Sequence, residues 1–414
     1  MFDFMDFELG DDVSEQPLSS PYIPDASECM RCGMCVSACP TFKLFQIDEE
    51  TPRRRIRTIS KILVENLPIS ADERMHLDNC LQCRACEAIC PSRMAYGRLF
   101  DQVRARLRSA PSALARLAFR LIENKRRRTR LMPLLALYLK SGVRKPLRNS
   151  GLLKLLGLAN AEALLGKPAM QTLASYHPTR VARRGRVALF TGCIAEQFDR
   201  DTLLAAIKLL NAIGYEVLVP PQQGCCGAIH QHNGQSAESL IANNIAVFNA
   251  LDVDAVLHTA TGCGAMLAEY QSSDGEASEL FRQSLLDIND FLLKHWPDGL
   301  QLLPSSLKVA VHEPCSQRNV LKNQQAVYAL LAKIPDLSVA PLADNSVCCG
   351  AGGSYMLTHP ENASQLRELK RQAIAAVRAD CVVSSNFGCA VFLNADNGAV
   401  CHPLSLLAKQ LPDQ

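Results

Sequence analysis

Two matching runs of cysteine constrain this 414-residue chain more than any other feature. Cys29, Cys32, Cys35 and Cys39, with Pro40 next, recur as Cys80, Cys83, Cys86 and Cys90, followed by Pro91. The pattern C-x2-C-x2-C-x3-C-P therefore stands twice. Three thiolates two residues apart can wrap three corners of an iron–sulfur cube in one tight loop, and the proline turns the fourth toward a second cube. The spacing predicts Cys29, Cys32, Cys35 and Cys90 around one [4Fe–4S] cluster, and Cys80, Cys83, Cys86 and Cys39 around the other. Cys35 and Cys39 are one helical turn apart, roughly 6 Å, so the interlocked sets would hold both clusters close together as an electron relay. Zinc is the competing reading, but a zinc site pairs two CxxC units about one ion and leaves the extra cysteine and the Cys-Pro unexplained.

The chain has 18 cysteines, more than packing calls for. The tail over residues 1–25 is acidic, lacks a basic stretch and does not resemble a secretory signal. A reducing compartment is expected, where such cysteines bind metal more often than they form disulfides. Length allows two or three domains, and a composition 48% hydrophobic and 21% charged is that of a globular chain. Net charge is +3, which predicts no particular partner and gives no reason to expect nucleic-acid binding. No apolar stretch is long enough to span a membrane.

The cysteine runs fall in a segment over 26–102. Between them Pro52 opens a helical pattern with Ile56, Ile59, Leu63 and Leu67 on one face, so this domain is expected to be α-helical. A basic helical linker over 103–183 follows. Residues 103–154 carry 15 lysines and arginines against the single acid Glu123, including Lys125, Arg126, Arg127 and Arg128. Either this is a solvated helix face, or its apolar flanks make it a docking surface for anionic lipid or a partner subunit. Beyond Arg183, short apolar strands alternate with helices. Two α/β modules are expected, over 184–300 and 305–410.

Each module carries its own cysteine set. Cys193, Cys225-Cys226-Gly227 and Cys263 recur as Cys315, Cys348-Cys349-Gly350 and Cys389, at offsets of 122, 123 and 126 residues. First and last cysteines follow predicted strands, whose ends gather ligands in open α/β sheets, and glycine after the pair allows close backbone approach. The four thiols of each copy are candidate ligands for another iron–sulfur cluster or zinc, or a redox-active thiol pair; eight inert buried thiols are the alternative. Cys381 and Cys401 have no counterpart in the first copy, and Cys381 reads as core. His312 and His402 lie near cysteines and read as hydrogen-bonded polar residues rather than ligands.

Taken together, two ferredoxin runs and two Cys-Cys-Gly domains resemble the iron–sulfur subunit family of glycolate oxidase (glycolate dehydrogenase), over about residues 28–405. CRACEAICPS, HTATGCGA and CCGAGGSYMLTHPENASQLRELK carry the likeness. D-lactate and anaerobic glycerol-3-phosphate dehydrogenase subunits and heterodisulfide reductase subunits are related. The last of these end in Cys-x-x-Cys, whereas here Cys263 is followed by Gly264-Ala265-Met266 and Cys389 by Ala390-Val391-Phe392. That departure weighs against noncubane chemistry on a disulfide, and favours a four-thiolate site or none. The resemblance implies an α-helical ferredoxin domain with two [4Fe–4S] clusters, followed by two α/β cysteine-rich (CCG) domains. It also implies FAD-binding partner subunits, a quinone-type acceptor, and a peripheral place at the cytoplasmic face of the inner membrane. With no G-x-G-x-x-G fingerprint and no Ser/His/Asp set, no catalytic residue is expected on this chain. A heterodisulfide-reductase-like thiol enzyme and a zinc-bound scaffold are the alternatives.

Overall fold

A computed structural model describes residues 29, 32–108, 111–394 and 400–412; the acidic tail expected over 1–25 lies outside them. From Met34 to Arg106 the described chain is helical, without a strand. The two cysteine runs share a backbone device. The residue after the second cysteine is left-handed in each, Gly33 at φ 79° and Arg84 at φ 58°, and a short helix follows, Met34–Ala38 or Ala85–Ala88. The loop is thereby folded back on itself before the third cysteine. Pro40 then opens the helix Pro40–Phe45, where its missing N–H costs nothing.

The helix between the runs spans Pro52–Leu63; Thr51 caps it by accepting a 3.3 Å bond from the Arg54 N–H. Ile56, Ile59 and Ile62 pack against Leu77, Leu99, Phe100 and Val103. The apolar period runs on to Leu67, but the helix does not: Asn66 turns left-handed at φ 55° and Leu67 is exposed.

The linker forms the helices Ala113–Glu123, Lys125–Lys140, Arg144–Asn149, Leu152–Leu155 and Ala159–Ala163. Glu162 braces them, accepting from Arg144 Nε at 2.6 Å, Arg148 Nε at 2.5 Å and the Tyr138 hydroxyl at 3.1 Å. The basic run is divided by helical spacing: Lys125 and Arg128 turn inward to the buried Glu196, at 2.7 and 3.8 Å, while Arg126 and Arg127 stay exposed.

Strands β1 (Tyr176–His177), β2 (Gly185–Phe190), β3 (Tyr215–Leu218), β4 (Ala255–His258) and β5 (Leu285–Asp287) form one sheet in the order β1-β3-β2-β4-β5. Strands β6 (Lys308–His312), β7 (Ser338–Pro341), β8 (Cys381–Ser384) and β9 (Val400–Cys401) form another, β7-β6-β8-β9. Apart from β1, which is antiparallel to β3, every pairing is parallel, and the order β3-β2-β4-β5 is repeated by β7-β6-β8-β9. The central strands read as unbroken apolar runs because helices cover both faces. The modules share one core, in which Leu203, Leu209 and Leu210 join Leu404, Leu407 and Leu411. Their strand ends meet: Thr261 N–H donates to Ser385 O at 3.0 Å and Ser316 Oγ to Thr261 Oγ1 at 2.9 Å.

Gly350, just after the second cysteine pair, has φ +89°, and an added Cβ would lie 2.5 Å from the Ala363 carbonyl oxygen. Gly353 is also left-handed, at φ +62°, but faces open space. Gly350→Ala is expected to lower stability by at least the roughly 1–3 kcal/mol of backbone strain, and Gly353→Ala by less. Chemical denaturation of the two variants side by side checks the order.

Candidate metal centres

The ferredoxin thiols line two adjoining cavities. Cys29, Cys32, Cys35 and Cys90 line one, and Cys39, Cys80 and Cys83 the other, with Cys86 on both. The fourth cysteine of each run thus borders the same cavity as the first three of the opposite run, with Cys86 shared. Pro52 and Tyr96 also border both cavities. No three of these thiols come within 4.8 Å of one another. A single zinc ion with ligands about 2.3 Å away would draw them closer, so the donors are spaced for a larger inorganic body. The buried Tyr96 hydroxyl has no protein partner, and inorganic sulfide would accept from it. The residues fit iron–sulfur clusters.

Burial pushes the Cys80, Cys83 and Cys86 thiols up, and for Cys83 the neighbouring Cys315 adds to it. Against this, Arg55 lies fully inside the domain. Its Nη1 points to Cys39 Sγ at 3.6 Å and donates to Thr41 Oγ1 at 2.9 Å, and its Nε donates to His76 O at 2.7 Å. Nη2 pairs with the buried Glu50, whose other oxygen meets His76 Nδ1 and Asn79 Nδ2, both at 2.7 Å.

In the α/β modules the four thiols of each copy converge at the carboxyl ends of the strands. Cys193, Cys225, Cys226 and Cys263 lie close enough to perturb one another's thiols in that order. The second copy repeats the chain from Cys315 through Cys348 and Cys349 to Cys389. Gly227 and Gly350 each donate their N–H to the first sulfur of the pair, at 3.4 Å in both. The hydrogen bond from the neighbouring cysteine, then burial, holds Cys193 and Cys315 well above the ordinary thiol range. Each set has a buried cation near it: Arg128 of the linker beside Cys193, and Lys370 beside Cys348, Cys349 and Cys389. Converging buried thiols with a counter-charge fit a metal–thiolate centre better than inert packing.

The surroundings of the two sites differ. Ile122 of the linker packs on Cys193 and Cys225. The second site instead faces the ferredoxin domain: Cys83 packs against its core with Leu81, and the Cys83 carbonyl accepts from Asn319 Nδ2 at 2.7 Å. Asn319 stands on a π-helical turn, Ser316–Leu321.

His402 is satisfied as expected, its Nε2 on the Thr259 carbonyl at 2.9 Å and its Nδ1 accepting from Leu404 N–H at 3.1 Å. His312 is hydrogen-bonded as well, its Nδ1 meeting Ser384 Oγ at 3.0 Å, and its ring also lies beside two thiols. Cys381 opens β8 and packs, half-buried, against the shared core as expected; the neighbouring Cys401 thiol pulls it below the ordinary thiol range. Tyr96, Arg55, Glu50 and Lys370 carry no motif, and only Arg128 could have been suspected, from its basic run.

Removing one partner of a buried ion pair leaves the other charge stranded. Arg55→Met is expected to destabilise the protein by about 3–5 kcal/mol. Arg53→Met should change little, since its pair with Asp48 at 2.6 Å is exposed. Thermal unfolding of the anaerobic protein distinguishes the two.

Comparison with known proteins agrees with this architecture. Family models match as a 4Fe-4S dicluster domain over residues 25–94, a cysteine-rich domain over 187–268 and 309–394, and the glycolate oxidase iron-sulfur subunit linker region over 110–165. The chain is 33% identical over 384 residues to the probable glycolate oxidase iron-sulfur subunit of Bacillus subtilis, covering 87% of this chain and 86% of that one. It is 29% identical to the glycolate oxidase iron-sulfur subunit of Escherichia coli, over 92% and 93% of the two chains. Lactate utilization protein A of Shouchella clausii is 27% identical over 49% of this chain and 87% of its own. On the strength of this near full-length likeness and the matching linker, the chain belongs to the glycolate oxidase iron–sulfur subunit family.

Proposed function

We propose that the chain is the electron-transfer subunit of a glycolate-oxidising complex. It takes electrons from a reduced flavin on a partner dehydrogenase subunit and delivers them to a quinone-type acceptor. The observation that carries this reading is the pair of adjoining cavities lined crosswise by the two cysteine runs. When bound there, iron–sulfur clusters supply one-electron chemistry. Cys29, Cys32, Cys35 and Cys90 would hold one [4Fe–4S] cluster, and Cys80, Cys83, Cys86 and Cys39 the second. Cys86, Pro52 and Tyr96 form the wall between them and keep water out of it. Arg55 holds positive charge and an N–H donor against Cys39 Sγ. The module thiols, Cys193, Cys225, Cys226 and Cys263 with Cys315, Cys348, Cys349 and Cys389, are available to a further cluster or zinc. Glycolate itself never needs to touch this chain, because the hydride it yields is received by the flavin.

The linker is the surface best suited to a membrane. No helix among the described residues is long and apolar enough to cross one. On Lys125–Lys140, however, Leu131, Leu134 and Leu137 form an exposed stripe at helical spacing; Leu134 and Leu137 are 63% and 65% exposed, and Arg126, Arg127 and Arg130 lie near its start. An apolar stripe beside basic residues suits an anionic bilayer surface, which supports peripheral attachment at the cytoplasmic face of the inner membrane.

Two outcomes are expected. Replacing Cys32 and Cys83 together by serine should cut glycolate-dependent dye reduction by the reconstituted complex by more than the roughly 10–100-fold that outer partners of a metal centre command; undiminished turnover would sink the relay. Leu134→Glu with Leu137→Glu should abolish flotation with phosphatidylglycerol vesicles, and raised salt should weaken it in the parent protein. Equal binding to phosphatidylcholine alone would remove the electrostatic part of the argument.

A further inference from the structure

We propose that the second cysteine-rich site is a compact mixed nitrogen–sulfur centre for a single borderline transition-metal ion, zinc or iron, with His312 as a ligand beside Cys349 and Cys389. Among the described residues, these three form the one group in which a ring nitrogen and two Sγ atoms all lie within 4.8 Å of one another. They are 2%, 2% and 3% exposed, so they offer donors to something inside the protein rather than to water. Thiolate and imidazole together suit zinc or iron, and not the hard cations that prefer oxygen.

The surroundings are arranged for ligation. Ser384 Oγ meets His312 Nδ1 at 3.0 Å, which fixes the ring and leaves Nε2 as the nitrogen for a metal, as outer hydrogen bonds do at histidine ligands. Asn386 Nδ2 donates to Cys389 Sγ at 3.3 Å, and Gly350 N–H to Cys348 Sγ at 3.4 Å. Lys370, buried against the same thiols, offsets their charge while its Nζ donates to the Asp344 carbonyl at 2.7 Å.

The first module shows what the second has gained. At the end of β2 the residue in the position of His312 is Phe190, which pairs in register with His258, just as His312 pairs with Ser384. The histidine has changed strands. His258 sits beneath Gly264, where an added Cβ would lie 2.1 Å from its ring, and 3.6 Å from Asp287 Oδ2. The first copy's strand-end histidine is thus turned to Gly264 and Asp287, and among the described residues the mixed set lies in the copy that faces Cys83. This goes beyond the electron-transfer reading and does not depend on it.

The test uses the full chain purified anaerobically, with metal analysis and X-ray absorption at the zinc and iron edges. The expected result is metal beyond the ferredoxin iron, with one nitrogen near 2.0–2.1 Å and sulfurs near about 2.3 Å in its shell. At the iron edge this is read as the difference between wild type and His312→Ala. His312→Ala should lose that metal while the ferredoxin iron is retained; His312→Cys should keep the metal and lose the nitrogen. Signal at the zinc edge assigns zinc, and signal in the iron difference assigns iron. An all-sulfur shell at the zinc edge of the wild type overturns the proposal even if no variant folds, and so does an all-sulfur iron difference or unchanged metal content and shell in His312→Ala. Loss of glycolate turnover with this shell intact would instead bear on the electron-transfer reading alone.

Discussion

A thiol removed from water resists ionising unless positive charge accompanies it, and each of the four sulfur groups in this chain has a cation beside it. Arg53 lies within electrostatic reach of Cys29 and Cys35, Arg55 meets Cys39, Arg128 stands near Cys193, and Lys370 near Cys348, Cys349 and Cys389. The two ferredoxin cations come from one helix. Because Thr51 and Pro52 fix where Pro52–Leu63 begins, they also fix its rotation. Arg53 therefore lines one cavity from the outside while Arg55 lines the other from within. The helix start thus distributes charge between the two thiol sets. Glu50, His76 and Asn79 complete the network that makes a buried guanidinium tolerable.

Duplication set the plan of the α/β half, and the neighbours of each copy then separated their chemistry. Strand order and the glycine N–H to sulfur bond repeat between the modules. One copy was covered by the linker and acquired Arg128 as its counter-charge. The other was covered by the ferredoxin domain and carries His312 where the first has Phe190.

Much of this was legible in the sequence because it is local. Cysteine spacing predicts which thiols share a cavity, since three donors two residues apart cannot reach past a single loop. The central strands were legible as apolar runs, but β1, β5 and β9 were not: at two or three residues each they are too short to show a period. Apolar periodicity also overran the helix at Leu67, where the break depends on Asn66 adopting a left-handed turn. The buried cations were hidden for a different reason. An arginine or lysine in an amphipathic pattern reads as solvent-facing, and only tertiary packing reveals that Arg55, Arg128 and Lys370 point inward. His312 was legible as a hydrogen-bonded polar residue, but its strand-end position shows neither Ser384 nor the two thiols beside it.

The ferredoxin domain makes polar contacts to both modules. Arg84 Nη1 reaches Glu269 at 2.5 Å, and Gln231 Nε2 donates to Asp101 at 2.7 Å on the first module. Asn319 binds the Cys83 carbonyl on the second. The second side brings sulfur toward sulfur, since Cys83 lies within electrostatic reach of both Cys315 and Cys348. The loop of the second cysteine run is thus anchored by a side chain four residues beyond Cys315. A shift of that loop would move the ferredoxin thiols and the module thiols together. Separation between redox centres governs electron transfer, so a contact that ties the two loops guards the dimension on which the proposed relay depends. In the first module the linker occupies the corresponding place, and it presents Ile122 and Arg128 to the sulfurs. Apolar bulk and a fixed cation thus surround the first module's sulfurs, so the duplicated copies sit in unequal surroundings despite their common plan.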